Sequence, residues 1–277
     1  MEPCFDLIGD TPPASPIVLS VPHAGREYPS TLHAALRVPI TALTALEDRY
    51  VDKVALAARG DETTIIQQAA RAWIDLNRAE HDRDPRLDDG AAAGHLSVKV
   101  RSGLGLVPRR TTAAGELWCR RLGADEVVAR IVSAHRPYHR ALGDALVAAR
   151  ARFGVAVLLD IHSMPPIAGG RARIVIGDRF GRAAAGRFVR RTEAVVAATG
   201  LEQALNAPYA GGHILERHGR PRDRVHAIQL ELDRSLYLDE RFDQLGSGFE
   251  RVVSLVRGII DALAEEAVGL PTTLAAE

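Results

Sequence analysis

Short apolar runs rich in valine and isoleucine alternate along this chain with longer stretches of helical spacing, and that alternation constrains the fold most. PIVLSVP (16–22), TTIIQQ (63–68), AWIDLN (72–77), VAVLLDIHS (155–163), ARIVIGD (172–178) and VHAIQLELD (225–233) read as strands. Helical spacing covers 41–59, 125–153, 183–200 and 249–267. Pro137 forces a kink or break in the second helix, and Gly200 stops the third. Strands separated by helices predict an α/β domain with a largely parallel or mixed sheet.

No internal repeat and no second domain boundary interrupts the 277 residues, so one domain is expected over 1–277. The segment 79–116 breaks the rhythm. It is polar, glycine-rich and too long for a plain connection, as expected of a functional loop.

The formal net charge is zero, which gives no broad attraction to nucleic acid or to an anionic membrane. Cys4 and Cys119 form neither a paired metal motif nor a disulfide framework, so a reducing compartment is expected. The first residues carry no basic, apolar leader, and no run is long enough to span a bilayer. A cytoplasmic protein is the expectation.

In open α/β sheets, ligands gather at the carboxyl ends of strands. Four runs here end in chemically capable groups: His23; Asp75, Asn77 and Arg78; Asp160 and His162; Gln229, Glu231 and Asp233. One histidine at a strand end is more often a satisfied core residue. Two, at separate strand ends, point to a metal site.

Asp160 and His162 are two apart and share a face, so the carboxylate can orient the ring. A hydrolytic zinc site needs three protein ligands and an open position. The third ligand would be a carboxylate, with Glu27, Glu47 and Asp48 as candidates. Glu231 alternates with Ile228, Leu230 and Leu232. A carboxylate on such a strand is costly unless paired or used as a base.

SVPHAGREYP, LEDRYVD, IDLNR, PYHRAL, LLDIHSM, NAPYAGGHI and HAIQLELDRSLYLDE occur in the order seen in the N-formylglutamate amidohydrolases, which the chain resembles over about residues 16–240. The resemblance implies a three-layer α/β/α fold around a mixed sheet, like that of zinc carboxypeptidases. It implies hydrolysis of N-formyl-L-glutamate to formate and glutamate in histidine degradation. It also implies about one Zn2+ per chain, held by His23, His162 and Asp48, with Glu27 the second choice for the carboxylate.

On the same pattern Glu231 is the catalytic base, and Asn77 with Arg78 holds a substrate carboxylate. Arg109 is a further substrate-binding candidate, because a product with two carboxylates calls for more than one arginine. His213, in its glycine-rich loop, would assist at the oxyanion or in proton transfer. The expected partner is a small N-formyl or N-acyl amino acid, and homo-oligomerisation is left open. Two other readings compete: a deacylase or carboxypeptidase-like enzyme with a different pocket, and a non-catalytic binding protein on the same fold.

Overall fold

The computed structural model describes residues 4–92 and 94–269. Its strands are β1 (Phe5–Ile8), β2 (Ile17–Val21), β3 (Thr63–Gln67), β4 (Arg110–Thr111), β5 (Gly115–Glu116), β6 (Ala156–Met164), β7 (Ile174–Gly177), β8 (Gln203–Leu205) and β9 (Val225–Asp233). Seven of them form one mixed sheet in the order β1-β3-β2-β6-β9-β7-β8, and β4 pairs with β5 in a separate hairpin. The central four, β3-β2-β6-β9, are parallel, while β1 and β7 join antiparallel at either side.

The helices are α1 (Ser30–His33), α2 (Val51–Ala58), α3 (Val98–Arg101), α4 (Ala124–Arg130), α5 (Arg136–Phe153), α6 (Gly186–Ala198), α7 (His213–His218) and α8 (Phe249–Val268). They lie on both faces of the sheet, giving the expected three layers. No helix among the described residues is long and apolar enough to cross a membrane.

The two faces of the sheet differ, and the difference creates the site. Toward α2, α6 and α8, the strands β2, β6 and β9 present mainly apolar side chains, such as Leu19, Leu159, Ile161, Ile228 and Leu230. Each such buried side chain contributes about 2 kcal/mol. Toward α5, the same strands begin apolar, with Val18, Leu158 and Ala227. They then turn polar, with Ser20, Asp160, His162, Gln229 and Glu231, all buried. In the parallel pairing of β6 with β9, His162 stands beside Glu231 and Asp160 beside Gln229.

Two segments differ from expectation, and a third, 125–153, is helical with an interruption before Pro137, as expected. Residues 72–77 form turns, not a strand. Ala72, Ile74 and Leu76 alternate inward as on a strand. Their backbone, however, bonds within turns and to the long loop, as in Trp73 N–Ala70 O at 2.8 Å and Asp75 N–Leu106 O at 2.7 Å.

Residues 41–59 are not one helix. A 3₁₀ segment, Ile40–Leu46, ends before α2, and Tyr50 is left-handed at φ 56°. Asp48 therefore sits in irregular backbone. Residues 125–153 run as α4, a π-helical turn over Ile131–His135, and α5. The π turn accommodates the hydrogen bond that Pro137 cannot make.

Candidate active site

His23 leaves β2 in a turn whose tightness depends on Gly25. A Cβ there would lie 2.2 Å from the Ala69 carbonyl oxygen. His162 is near the end of β6, and Asp48 comes from the break before α2, where its N–H donates to the His23 carbonyl at 2.9 Å. The three side chains are buried and converge. Asp48 Oδ2 lies 3.1 Å from His162 Nδ1 and 3.6 Å from His23 Nδ1. One donor atom from each residue falls within 4.8 Å of the others. His23 Nδ1 is buried and makes no hydrogen bond among the described residues.

Each ring is gripped from behind by a carboxylate. Asp75 Oδ1 is 2.8 Å from His23 Nε2, and Asp160 Oδ2 is 2.9 Å from His162 Nε2. This pairing keeps a hydrogen on each Nε2 and turns each Nδ1 toward Asp48, as metal-binding histidines require. Asp160 also accepts from Ser20 Oγ at 2.7 Å, and Ser20 Oγ is 2.9 Å from the Tyr138 hydroxyl. Asp75 accepts from Arg71 Nε at 2.8 Å, and Asp48 Oδ1 accepts from Arg234 at 3.1 Å.

Burial pushes the Asp48 carboxyl up, but His162 and His23 outweigh it and hold it well below the usual range. Burial likewise works against Asp75, and Arg71, Arg78 and His23 hold it low. For His162, burial favours the neutral ring, yet Asp160 and Asp48 raise it well above the usual value. Protonation of His162 and binding of a cation would compete at this site. Two imidazole nitrogens and one carboxylate oxygen, one nitrogen without a partner, fit a metal ion.

Glu231 stands next to this group. Its Oε1 accepts from Gln229 Nε2 at 2.9 Å. Burial pushes its carboxyl up to about 7, with the charges of Asp48 and Asp160 adding to the effect. All four acidic and imidazole groups line a cavity of about 730 Å³. Arg71, Arg78 and Lys99 also line it, as do Arg234 and Arg241.

Residues 15–238 match the N-formylglutamate amidohydrolase family. The chain belongs to that family. The matched span contains every residue of the metal group, Glu231 and Arg234. A solved N-formylglutamate amidohydrolase from Ralstonia eutropha is 32% identical, with a TM-score of 0.86, covering 95% of this chain and 98% of that one. The N-formylglutamate deformylase of Pseudomonas aeruginosa is 28% identical over 256 residues, covering 90% of this chain and 92% of its own. That of Pseudomonas putida is 29% identical over 231 residues, or 81% and 82% of the two chains. A solved gene product from Agrobacterium tumefaciens shares the fold, at a TM-score of 0.71 and 18% identity.

Within this amidohydrolase site, not every expected residue reaches the cavity. Asn77 and Arg78 line it. Arg109 does not: its guanidinium is spent on Asp84, at 2.7 Å, and on Glu116, which ties the long loop together. His213 also stands off the cavity wall, because its ring packs against His135 and His139.

Among the carboxylate candidates, Glu27 is exposed, and Glu47 bonds Tyr28 and Arg49. Only Asp48 faces both histidines. Arg71 and Lys99 carried little signal in the sequence. Arg71 is an arginine inside a buried apolar segment, and Lys99 is one of only two lysines.

Proposed function

We propose that the chain hydrolyses N-formyl-L-glutamate to formate and L-glutamate, using one Zn2+ held by His23, Asp48 and His162. The observation that carries this reading is the convergence of those three buried side chains beside Glu231, in a cavity lined with cations. Bound zinc would acidify a water and polarise the formyl carbonyl.

The chain's own residues do the rest. Glu231 has one oxygen held by Gln229, and its other oxygen has no protein partner among the described residues. It takes the proton of the attacking water and delivers it to the departing amine nitrogen. Arg234 keeps Asp48 turned to the histidines. Arg78, beside Asn77, receives one substrate carboxylate.

A second carboxylate needs a second cation. Arg71 and Lys99 line the same cavity, and burial together with Arg78 and Arg71 lowers the proton affinity of Lys99. A bound anion would offset that lowering, which favours a dicarboxylate over a neutral N-acyl amino acid.

The test compares formate release from N-formyl-L-glutamate and N-formyl-L-glutamine. Wild type is expected to favour the glutamate compound. Lys99→Met is expected to cut that preference about tenfold, the worth of one charge-assisted hydrogen bond. An equal loss on both substrates would remove Lys99 from the side-chain pocket, and a wild type that acts on neither would reject the substrate class.

A further inference from the structure

Behind the cavity wall lie four histidines that the chemistry above does not use: His135, His139, His213 and His218. His135, His139 and His218 are buried, and His213 is partly so. Burial first, and then their own mutual proximity and Arg217, lower the affinity of His139, His213 and His218 for a proton, to about 4 for His213 and about 3 for His218. His135 is lowered chiefly by burial. All four are thus pushed toward the neutral ring.

Their hydrogen bonds have one direction. His139 Nε2 lies 3.0 Å from the Leu76 carbonyl, and His135 Nε2 lies 2.8 Å from the Arg78 carbonyl. A carbonyl only accepts, so both rings carry their hydrogen on Nε2. His139 Nδ1 is then an acceptor, and the His218 Nε2–H, 2.9 Å away, donates to it.

Between these two carbonyls, the Asn77 carbonyl accepts from Arg78 Nη1 at 2.7 Å and faces the His213 backbone N–H at 3.5 Å. The Asn77 side chain accepts from Ile214 N at 2.9 Å. Gly212 permits this approach, since a Cβ there would lie 2.4 Å from Asn77 Oδ1.

We infer that His135, His139 and His218 are positioning residues. They hold the carbonyls of Leu76 and Arg78, on either side of Asn77, so that the Arg78 guanidinium is set for a substrate carboxylate before substrate arrives. The inference rests on the proposed role of Arg78.

It also accounts for the π turn. That turn contains His135, and the first turn of α5 that follows carries His139, so both rings reach one loop. A second metal centre is the competing use of the same rings, because His135, His139 and His213 bring ring nitrogens within 4.8 Å. His139, however, has no nitrogen to spare: one donates to Leu76 and the other accepts from His218. The backbone of 76–78 is not part of a sheet ladder, so its carbonyls need other partners, and for Leu76 and Arg78 these are the histidine rings.

The test uses His139→Leu and, should that variant fold poorly, His139→Gln and His135→Phe. His139→Leu is expected to raise KM for N-formyl-L-glutamate about tenfold or more, with kcat within about threefold of wild type. Competitive inhibition by L-glutamate should weaken in parallel. His139→Gln, whose amide can donate to Leu76, should recover much of the loss. In an Arg78→Ala background, His139→Leu should change KM no further, because residues acting through one another are not additive.

Hydrogen exchange of segment 74–80, measured without substrate, should rise in His139→Leu and His135→Phe. That measurement stands even if wild type proves inactive on N-formyl-L-glutamate, so failure of the substrate reading is separable from failure of this one. Three results would overturn the inference: equal KM effects with and without Arg78, unchanged exchange in 74–80, or a second equivalent of zinc lost specifically in His135→Phe.

Discussion

Glu231→Gln is expected to bind metal as the wild type does and to release formate about a thousandfold more slowly. The substitution keeps size and polarity and removes only the capacity to hold a proton. Glu231 is not among the three converging ligands, so the metal group remains.

The same change has a second signature. Burial, with Asp48 and Asp160, lifts the Glu231 carboxyl to about 7 in the metal-free fold. Between the ordinary carboxylate value of about 4 and that value, the folded chain keeps a proton that the unfolded chain releases. Metal-free stability therefore falls as pH rises through this window, and the loss is complete above it. Glu231→Gln, which has no proton to lose, should melt higher than wild type at pH 8 in the metal-free state, with little difference at pH 4. Thermal melts of both metal-free proteins at the two pH values read this directly. A variant that melts lower at pH 8 would mean that the charge of Glu231 stabilises the fold, contrary to its surroundings.

The second large effect is on metal binding. His162→Ala is expected to lose metal and activity together. It removes one of the three donors, and it leaves Asp48 and Asp160 as buried carboxylates short of a partner. Uncompensated buried charge costs about 3–5 kcal/mol, so this variant should also be markedly less stable.

Asp160→Asn makes the finer comparison. It keeps all three donors but weakens the hold on His162 Nε2, and should reduce metal affinity by about ten- to a hundredfold while activity returns at saturating metal. Equilibrium dialysis against zinc separates the two variants. Unchanged zinc affinity in Asp160→Asn would mean that Ser20 and Tyr138, which anchor Asp160, do not support the site.

The strands that bear the site were legible because their polarity changes along their length. In VAVLLDIHS and VHAIQLELD, apolar runs give way to residues that a buried strand keeps only for use. Period-two spacing also placed Asp160 with His162, and Gln229 with Glu231. The segment AWIDLNR misled for the same reason: its side chains alternate inward while its backbone turns, and side-chain burial alone cannot report where backbone hydrogen bonds go.

Asp48 was one of three acidic candidates because its selection depends on an interruption between the 3₁₀ segment and α2 at a left-handed Tyr50, which no local propensity announces. Arg109 looked free in the sequence because its partner Asp84 lies 25 residues away in the same loop. His213 belongs to a cluster assembled from the π turn, α5 and α7, which only the folded chain brings together.

The most direct test of the account is formate release from N-formyl-L-glutamate by the purified chain as isolated, after chelation, and after zinc is restored. The account predicts turnover, its loss on chelation, and its return with about one zinc per chain. Turnover that survives complete removal of metal, or a zinc-loaded protein that leaves N-formyl-L-glutamate intact, would contradict it.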